Sequence, residues 1–222
     1  MREIFIRQLR SWLFPVRCPV CRCFIFPEED FCSDCADKLV PYSKNLNIPG
    51  ASGSVAAFEY TDSISPAILM MKKGVIGNSA YALGKALALR IRNSGMDKDI
   101  DLIVTVPMFS PDIRKRGCDQ VHFIARKVGK ELGIKVSGNC LIKTRKTKQQ
   151  KSLTADERMV NIQNAFKVAD PELVNGKNIL LIDDVCTTGS TFTEITKLLL
   201  KNGAAKVYCA SCCRTVITKE GR

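Results

Sequence analysis

Two adjacent carboxylates, Asp183 and Asp184, close the apolar run Ile179, Leu180, Leu181, Ile182, and the small hydroxylated segment Thr187, Thr188, Gly189, Ser190, Thr191 follows them. An apolar β-branched run predicts a buried strand, and the periodic stretch after the hydroxyls predicts a helix over Thr191–Lys201 with Gly203 as its stop. Backbone N–H groups at the start of that helix, with the hydroxyls of Thr187, Thr188, Ser190 and Thr191, make a cradle for a phosphate monoester. The acids repel the same phosphate, so they suit vicinal ribose hydroxyls or a magnesium ion beside it. A helix cap accounts for the Thr-Thr-Gly turn but leaves the acids and the density of hydroxyls unexplained. The Gly-Lys-Ser/Thr ending of a Walker loop is missing, as is a Gly-x-Gly-x-x-Gly turn.

A second cluster lies near the N-terminus, where Cys18-Pro-Val-Cys21 and Cys32-Ser-Asp-Cys35 stand ten residues apart. Each pair can wrap one side of a tetrahedral ion, so four thiolates predict a closed structural zinc site. Reduced core cysteines and a redox pair are the competing readings, and no thioredoxin-like strand and helix surround either turn. Cys23 is not assigned as a ligand. Cys209, Cys212 and Cys213 lie in a predicted strand over Lys206–Cys212 and its continuation, where alternation sends 209 and 213 to one face and 212 to the other; core packing is the expectation for all three.

These groups need elements to position them. Phe5, Leu9, Trp12 and Leu13 space as a short amphipathic helix, and residues 41–53, rich in Pro, Asn, Ser and Gly, read as a linker. That places a small module with its linker at 1–53 and the main domain at 54–222. Beyond the linker, the pattern predicts a strand at Ser54–Tyr60 and helices at Asp62–Lys73 and Asn78–Arg92. It continues with a strand at Asp101–Val106 stopped by Pro107, and a helix at Asp119–Leu132. A weak strand at Lys135–Ile142, a helix at Thr154–Gln163 and a strand at Asn178–Ile182 complete the pattern. Alternating strands and helices imply an α/β fold with a mostly parallel sheet and flanking helices, whose ligands bind at the carboxyl ends of the strands.

The acidic strand end, Thr-Thr-Gly and helix resemble the phosphoribosyl pyrophosphate signature of type I phosphoribosyltransferases. The order of further motifs resembles the ComF-type competence proteins over nearly the whole chain: paired Cys-x-x-Cys, Val106-Pro107, Arg116-Gly117 with Gln120, Gln150 to Leu153, Glu157-Arg158, Asn161, Ala165-Phe166 and the acidic loop. It departs at Cys118-Asp119, where that family has Phe and Asn, and at Met108-Phe109, where Leu-His is common. The resemblance implies a type I phosphoribosyltransferase-like domain behind a zinc module. It implies phosphoribosyl pyrophosphate bound with magnesium by Asp183, Asp184, Thr187, Thr188, Gly189, Ser190 and Thr191, with Asp183 and Asp184 as the catalytic carboxylates. The turn after Pro107, with Arg114, Lys115 and Arg116, becomes a pyrophosphate loop. Lys143, Arg145, Lys146, Lys148 and Lys151 fall where the family has a mobile cover, and Lys143 and Arg145 join Arg114 and Arg116 as candidate pyrophosphate contacts. Thr187 stands where purine-salvage enzymes carry an Asp near the incoming base, and a hydroxyl cannot accept that proton at neutral pH. His122, the only histidine, reads as a packed or surface residue within a helix.

Across 222 residues, 34 Lys or Arg against 22 Asp or Glu leave a formal charge of +12, which points to an anionic partner, a polyphosphate or a nucleic acid. Eleven cysteines without an export signal argue for reduced thiols and a cytoplasmic address. No apolar run suggests membrane insertion. Two classes of function fit. One is a magnesium-dependent phosphoribosyltransferase, or a relative that binds the same ligand without turnover; the other is a non-enzymatic competence factor that contacts single-stranded DNA or other competence proteins through its basic surplus and zinc module.

Overall fold

The computed structural model describes residues 15–75, 77–146 and 164–216. Five parallel strands form its sheet: β1 (Gly53–Glu59), β2 (Leu102–Thr105), β3 (Lys135–Ser137), β6 (Asn178–Cys186) and β7 (Lys206–Arg214), in the order β1-β7-β6-β2-β3. A second, two-stranded antiparallel sheet joins β4 (Leu141–Lys143) to β5 (Phe166–Val168). The central strand β6 pairs with β2 on one side, Leu102 opposite Ile179, and with β7 on the other, Asn178 opposite Lys206. Ile179, Leu180, Leu181 and Ile182 are all fully buried, the mark of a parallel strand covered on both faces.

Two cores fill those faces. Leu180 and Ile182 face one cluster with helices α2 (Ser65–Lys72), α3 (Gly77–Asn93) and α5 (Gln120–Leu132). Ile179 and Leu181 face the other, where helix α6 (Ser190–Lys201) buries Phe192, Ile195 and Leu199 with Leu141, Phe166 and Val168 of the small sheet. Such alternation is the period-two geometry of a strand acting on a sequence that is apolar at every position. Short helix α4 (Ser110–Arg116) follows β2 and ends at Gly117, whose φ of 78° is left-handed and whose N–H bonds the Ile113 carbonyl. Asp119 caps α5 by accepting from the N–H groups of Val121 (3.0 Å) and His122 (3.3 Å), so the Asp at this point does the capping work an Asn would do.

Several expectations shift. Helix α2 starts at Ser65, three residues later than expected, because Pro66 belongs in a first turn, where its missing N–H costs nothing. The single weak strand expected at Lys135–Ile142 is two, β3 and β4 in different sheets, because Gly138-Asn139 turns the chain between them. Strand β6 runs four residues past Ile182, since its ladder with β7 continues through Asp183 opposite Ser211 and Cys186 opposite Arg214. Cys209, Cys212 and Cys213 are core residues, but Cys213 packs in the cluster of Cys212 rather than that of Cys209. His122 is half-buried beside Gly138, and its ring lies edge-on to Phe123 at 6.4 Å. The helices expected near Phe5–Leu13 and at Thr154–Gln163, and the basic stretch beyond Lys146, lie outside the described residues.

The stretch expected to be a linker lies along the edge of β1 instead. Pro41 bridges Phe58 and Asn45 bridges Val55, both antiparallel, while Leu46 and Ile48 are buried in the second core. The cysteine module ahead of it is docked on α3: Lys85 pairs with Asp30 at 2.7 Å, and the Asn78 side chain donates to the carbonyls of Arg17 and Asp30. Arg90 donates to the carbonyls of Tyr42 and Ser43, and Phe31 meets Phe58 edge-on at 6.3 Å. Among the described residues, no helix is long and apolar enough to cross a membrane.

Candidate functional site

The hydroxylated loop joins β6 to α6 at the carboxyl edge of the sheet. Gly189 precedes the helix with φ 84°, a left-handed conformation costly for any other residue, and a Cβ there would meet Ile48 Cδ1 at 2.6 Å. The left-handed backbone is the constraint that requires glycine, since the Ile48 methyl is the end of a side chain that can shift. The Thr188 and Ser190 hydroxyls lie 2.8 Å apart, and Thr193 returns its hydroxyl to the Gly189 carbonyl at 3.1 Å. Gly189 at the cap position has no side chain to accept from the first amides of α6, the Ser190 N–H makes a long 3.4 Å contact to Thr188 Oγ1, and no acidic residue occupies the first turn. Such a helix start presents N–H donors and the positive end of the dipole to an anion.

Arg214, at the end of β7, anchors the loop from behind. Its Nη1 donates to the Thr187 carbonyl and lies 3.1 Å from Cys186 Sγ. Burial pushes the Cys186 thiol up, against the opposing pull of that guanidinium. The sequence carries no signal for Arg214, because its role arises from the β6–β7 register, which sets it opposite Cys186.

The two acids do not share an environment. Asp184 follows the face of Leu180 and Ile182, is only 7% exposed, and its Oδ2 accepts from both Lys72 Nζ and Gln120 Nε2, each at 3.3 Å. Asp183, on the opposite face, is partly exposed and accepts from the Asp184 N–H at 2.8 Å. Burial first, and then the neighbouring Asp184 charge, push the Asp183 carboxyl up to about 8, so its ionised form lacks compensation. A divalent cation or hydroxyl donors would supply that compensation, and hard carboxylate oxygens are the donors magnesium takes. The residues present thus fit magnesium, with Asp183 the better-placed ligand. Lys72 is not legible in the sequence, because nothing in the chain from 62 to 73 marks one lysine as facing an acid more than 110 positions away.

The structure brings some of the expected cations together. Lys143, at the end of β4, faces Asp183 and Asp112. Burial lowers its ammonium, and the two carboxylates pull it back up. Arg145 opposes Lys143 as a like charge. Arg114 is exposed on α4, and Arg116 closes that helix.

In the cysteine module, the four Sγ atoms of Cys18, Cys21, Cys32 and Cys35 all lie within 4.8 Å of one another. Sulfurs at Zn–S bonds of about 2.3 Å in a tetrahedron stand about 3.8 Å apart, so the thiols fit zinc. Tight turns build the site: Cys18 N–H bonds the Cys23 carbonyl at 2.8 Å, and Cys32 opens the short helix α1 (Ser33–Ala36), which carries Cys35. Cys23 Sγ lies 3.3 Å from Cys21 Sγ but outside the group of four. Hydrogen bonds from the Cys23 backbone and thiol hold the Cys21 thiol down to about 6, toward the thiolate a metal takes.

Comparison with known proteins agrees with this arrangement. A double zinc ribbon domain model matches residues 9–46, and a phosphoribosyl transferase domain model matches residues 78–220. The chain belongs to the phosphoribosyltransferase family. Within it, the chain is 31% identical over 203 residues to the DNA utilization protein YhgH of Escherichia coli (strain K12), covering 90% of this chain and 84% of that one. It is 26% identical over 189 residues to competence protein F of Haemophilus influenzae, covering 80% and 81%. Among solved structures it resembles the glutamine phosphoribosylpyrophosphate amidotransferase from B. subtilis, at a TM-score of 0.41 and 21% identity, covering 62% of this chain and 27% of that one. This family member is thus a ComF-type, phosphoribosyltransferase-like protein whose zinc ribbon precedes its parallel-sheet domain.

Proposed function

We propose that this protein binds phosphoribosyl pyrophosphate together with magnesium at the carboxyl edge of β6. The loop Thr187–Thr191 receives the 5′-phosphate, Asp183 faces the ribose hydroxyls or the metal, and Lys143, Arg145, Arg114 and Arg116 meet the pyrophosphate. The observation that carries the reading is the pairing of an acid-free helix start with a poorly compensated carboxylate on the preceding strand. Loss of pyrophosphate from the anomeric carbon leaves positive charge on the ring and negative charge on the leaving group. The Asp183 carboxylate suits the first, and the cations of β4 and α4 suit the second. Magnesium, when bound, would add charge neutralisation at the pyrophosphate.

Calorimetric titration with phosphoribosyl pyrophosphate, with and without magnesium, tests the reading. Thr188→Val keeps the side-chain size and removes one bond to a charged group, so affinity weakens by about 1.5–3 kcal/mol. Asp183→Asn weakens the magnesium-dependent part and leaves inorganic phosphate bound as well, or better above about pH 8, where the ionised carboxylate repels it. Equal loss of phosphate and ribose binding in the Asn variant would overturn this division, and no binding by the wild type would overturn the reading itself.

A second reading, contact with single-stranded DNA, draws support from the zinc ribbon. Phe24 and Phe26 are 63% and 74% exposed, and the Arg17 guanidinium lies 4.1 Å over the Phe24 ring. Basic groups beside exposed rings make a stacking surface that spacing in the sequence does not reveal. If this surface binds DNA, Phe24→Ala and Phe26→Ala weaken oligonucleotide anisotropy signals and leave phosphoribosyl pyrophosphate binding intact. Unchanged anisotropy excludes the surface.

A further inference from the structure

We propose that Lys72 is a positioning residue that acts as a resident counter-charge for Asp184, so that Asp184 adds nothing to the charge that opposes an incoming polyanion. The proposal rests on the reading of the β6–α6 loop as the site of a phosphorylated, magnesium-bearing ligand.

The geometry is specific. Lys72 closes the last turn of α2, where a cation also suits the helix dipole, and its Nζ reaches Asp184 Oδ2 at 3.3 Å. Its own surroundings are acidic: Asp184, Asp183 and Tyr60 hold its ammonium up against the opposing effect of burial. Gln120 donates to the same Asp184 oxygen at 3.3 Å, while Gln120 Oε1 is buried with no hydrogen-bond partner among the described residues. The Gln120 amide is thus turned to give its donor to the Asp184 oxygen that Lys72 also meets, at the cost of its acceptor. Asp184 is 7% exposed. A buried carboxylate oxygen already met by a lysine at 3.3 Å and an amide at 3.3 Å has little left to offer a second cation.

The consequence concerns sign. Two adjacent bare carboxylates would draw a divalent cation into the ligand-free protein and repel a pyrophosphate-bearing ligand. With Lys72 in place, the pair carries one negative charge fewer than it would without it, so the cation has less reason to enter alone and the polyanion less reason to stay out. Metal and ligand would then load together, in keeping with magnesium's habit of sharing one or two carboxylates with substrate phosphates.

The test uses full-length, zinc-loaded protein and two variants, Lys72→Met, which removes the charge at similar length, and Lys72→Gln, which keeps a donor for Asp184. Manganese binding without ligand is read by electron paramagnetic resonance, using Mn2+ as the probe, and binding of phosphoribosyl pyrophosphate is read by calorimetry. Loss of one charge at this range predicts that Mn2+ binds about fivefold or more tightly and the polyanion about fivefold or more weakly in both variants. Lys72→Arg leaves both within about twofold. A merely structural ion pair would move both affinities in the same direction through loss of site order, so opposite signs carry the proposal. Shifts of the same sign, or no shift, while the wild type binds both probes, overturn the role of Lys72 and leave the ligand assignment standing. A wild type that binds neither probe overturns the assignment, and the Lys72 proposal with it.

Discussion

Replacing Cys32 and Cys35 with serine will strip about one zinc per chain and unfold the ribbon, with a loss of stability larger than that of any substitution in the β6–α6 loop. A segment as short as the cysteine module cannot bury a core of its own, and structural zinc supplies about 10–16 kcal/mol of apparent binding free energy in isolated fingers. Here Cys18 is fully buried and Cys35 nearly so, while Cys21 and Cys32 complete the set from the exposed side. The loss will spread beyond the module. Asp30 and the Arg17 carbonyl hold Asn78 and Lys85 of α3, and Phe31 covers Phe58 of β1, so the sheet domain loses one wall of its packing. Elemental analysis should report zinc near one equivalent in the wild type and near none in the double variant, whose thermal midpoint should fall in parallel. A metal-free protein with an unchanged midpoint would show that packing alone holds the module.

The second large effect is a dependence of stability on pH that resides in Asp183. Its carboxyl is raised to about 8 in the folded protein against 3.8 as the ordinary value, with burial the leading cause and Asp184 the next. The folded state therefore keeps a proton between roughly pH 4 and 8 that the unfolded chain has released, and stability falls as pH rises through that window. Below the unfolded value the contribution is fully present; above the folded value it is gone. The total is on the order of a few kcal/mol, since a tenfold change in proton affinity between the two states is worth about 1.4 kcal/mol. Thermal midpoints of the ligand-free protein from pH 4.5 to 8.5 should decline, and Asp183→Asn should flatten the decline. Saturating magnesium with phosphoribosyl pyrophosphate should flatten it as well, because a cation at Asp183 favours the ionised form. A wild type and Asn variant with parallel profiles would assign the slope to other groups.

These two effects sit at opposite ends of what a single chain of letters discloses. Spacing alone picked out the four cysteines that the fold gathers in position for a metal, because ligand geometry is local: two residues between each pair are enough to wrap one side of an ion, whatever the rest of the chain does. The β6–α6 unit was equally legible, since an apolar run, two acids, a Thr-Thr-Gly turn and a periodic helix are all short-range signals. Strand and helix boundaries followed to within a few residues for α3, α5, α6 and β2, where period and caps agree.

What tertiary structure decided is the fate of groups whose partners lie far along the chain. The sequence presented Asp183 and Asp184 as an equal pair; the sheet sends them to opposite faces, one toward Lys72 and Gln120 and the other toward Lys143. Arg214 became the anchor of the loop only through the β6–β7 register, and residues 41–53, polar enough to read as a linker, were drawn onto β1 because Leu46 and Ile48 had a core to enter. The physical reason is common to all three. Periodicity and turn chemistry act over a few residues, whereas charge neutralisation and burial depend on which surfaces the parallel sheet sets face to face.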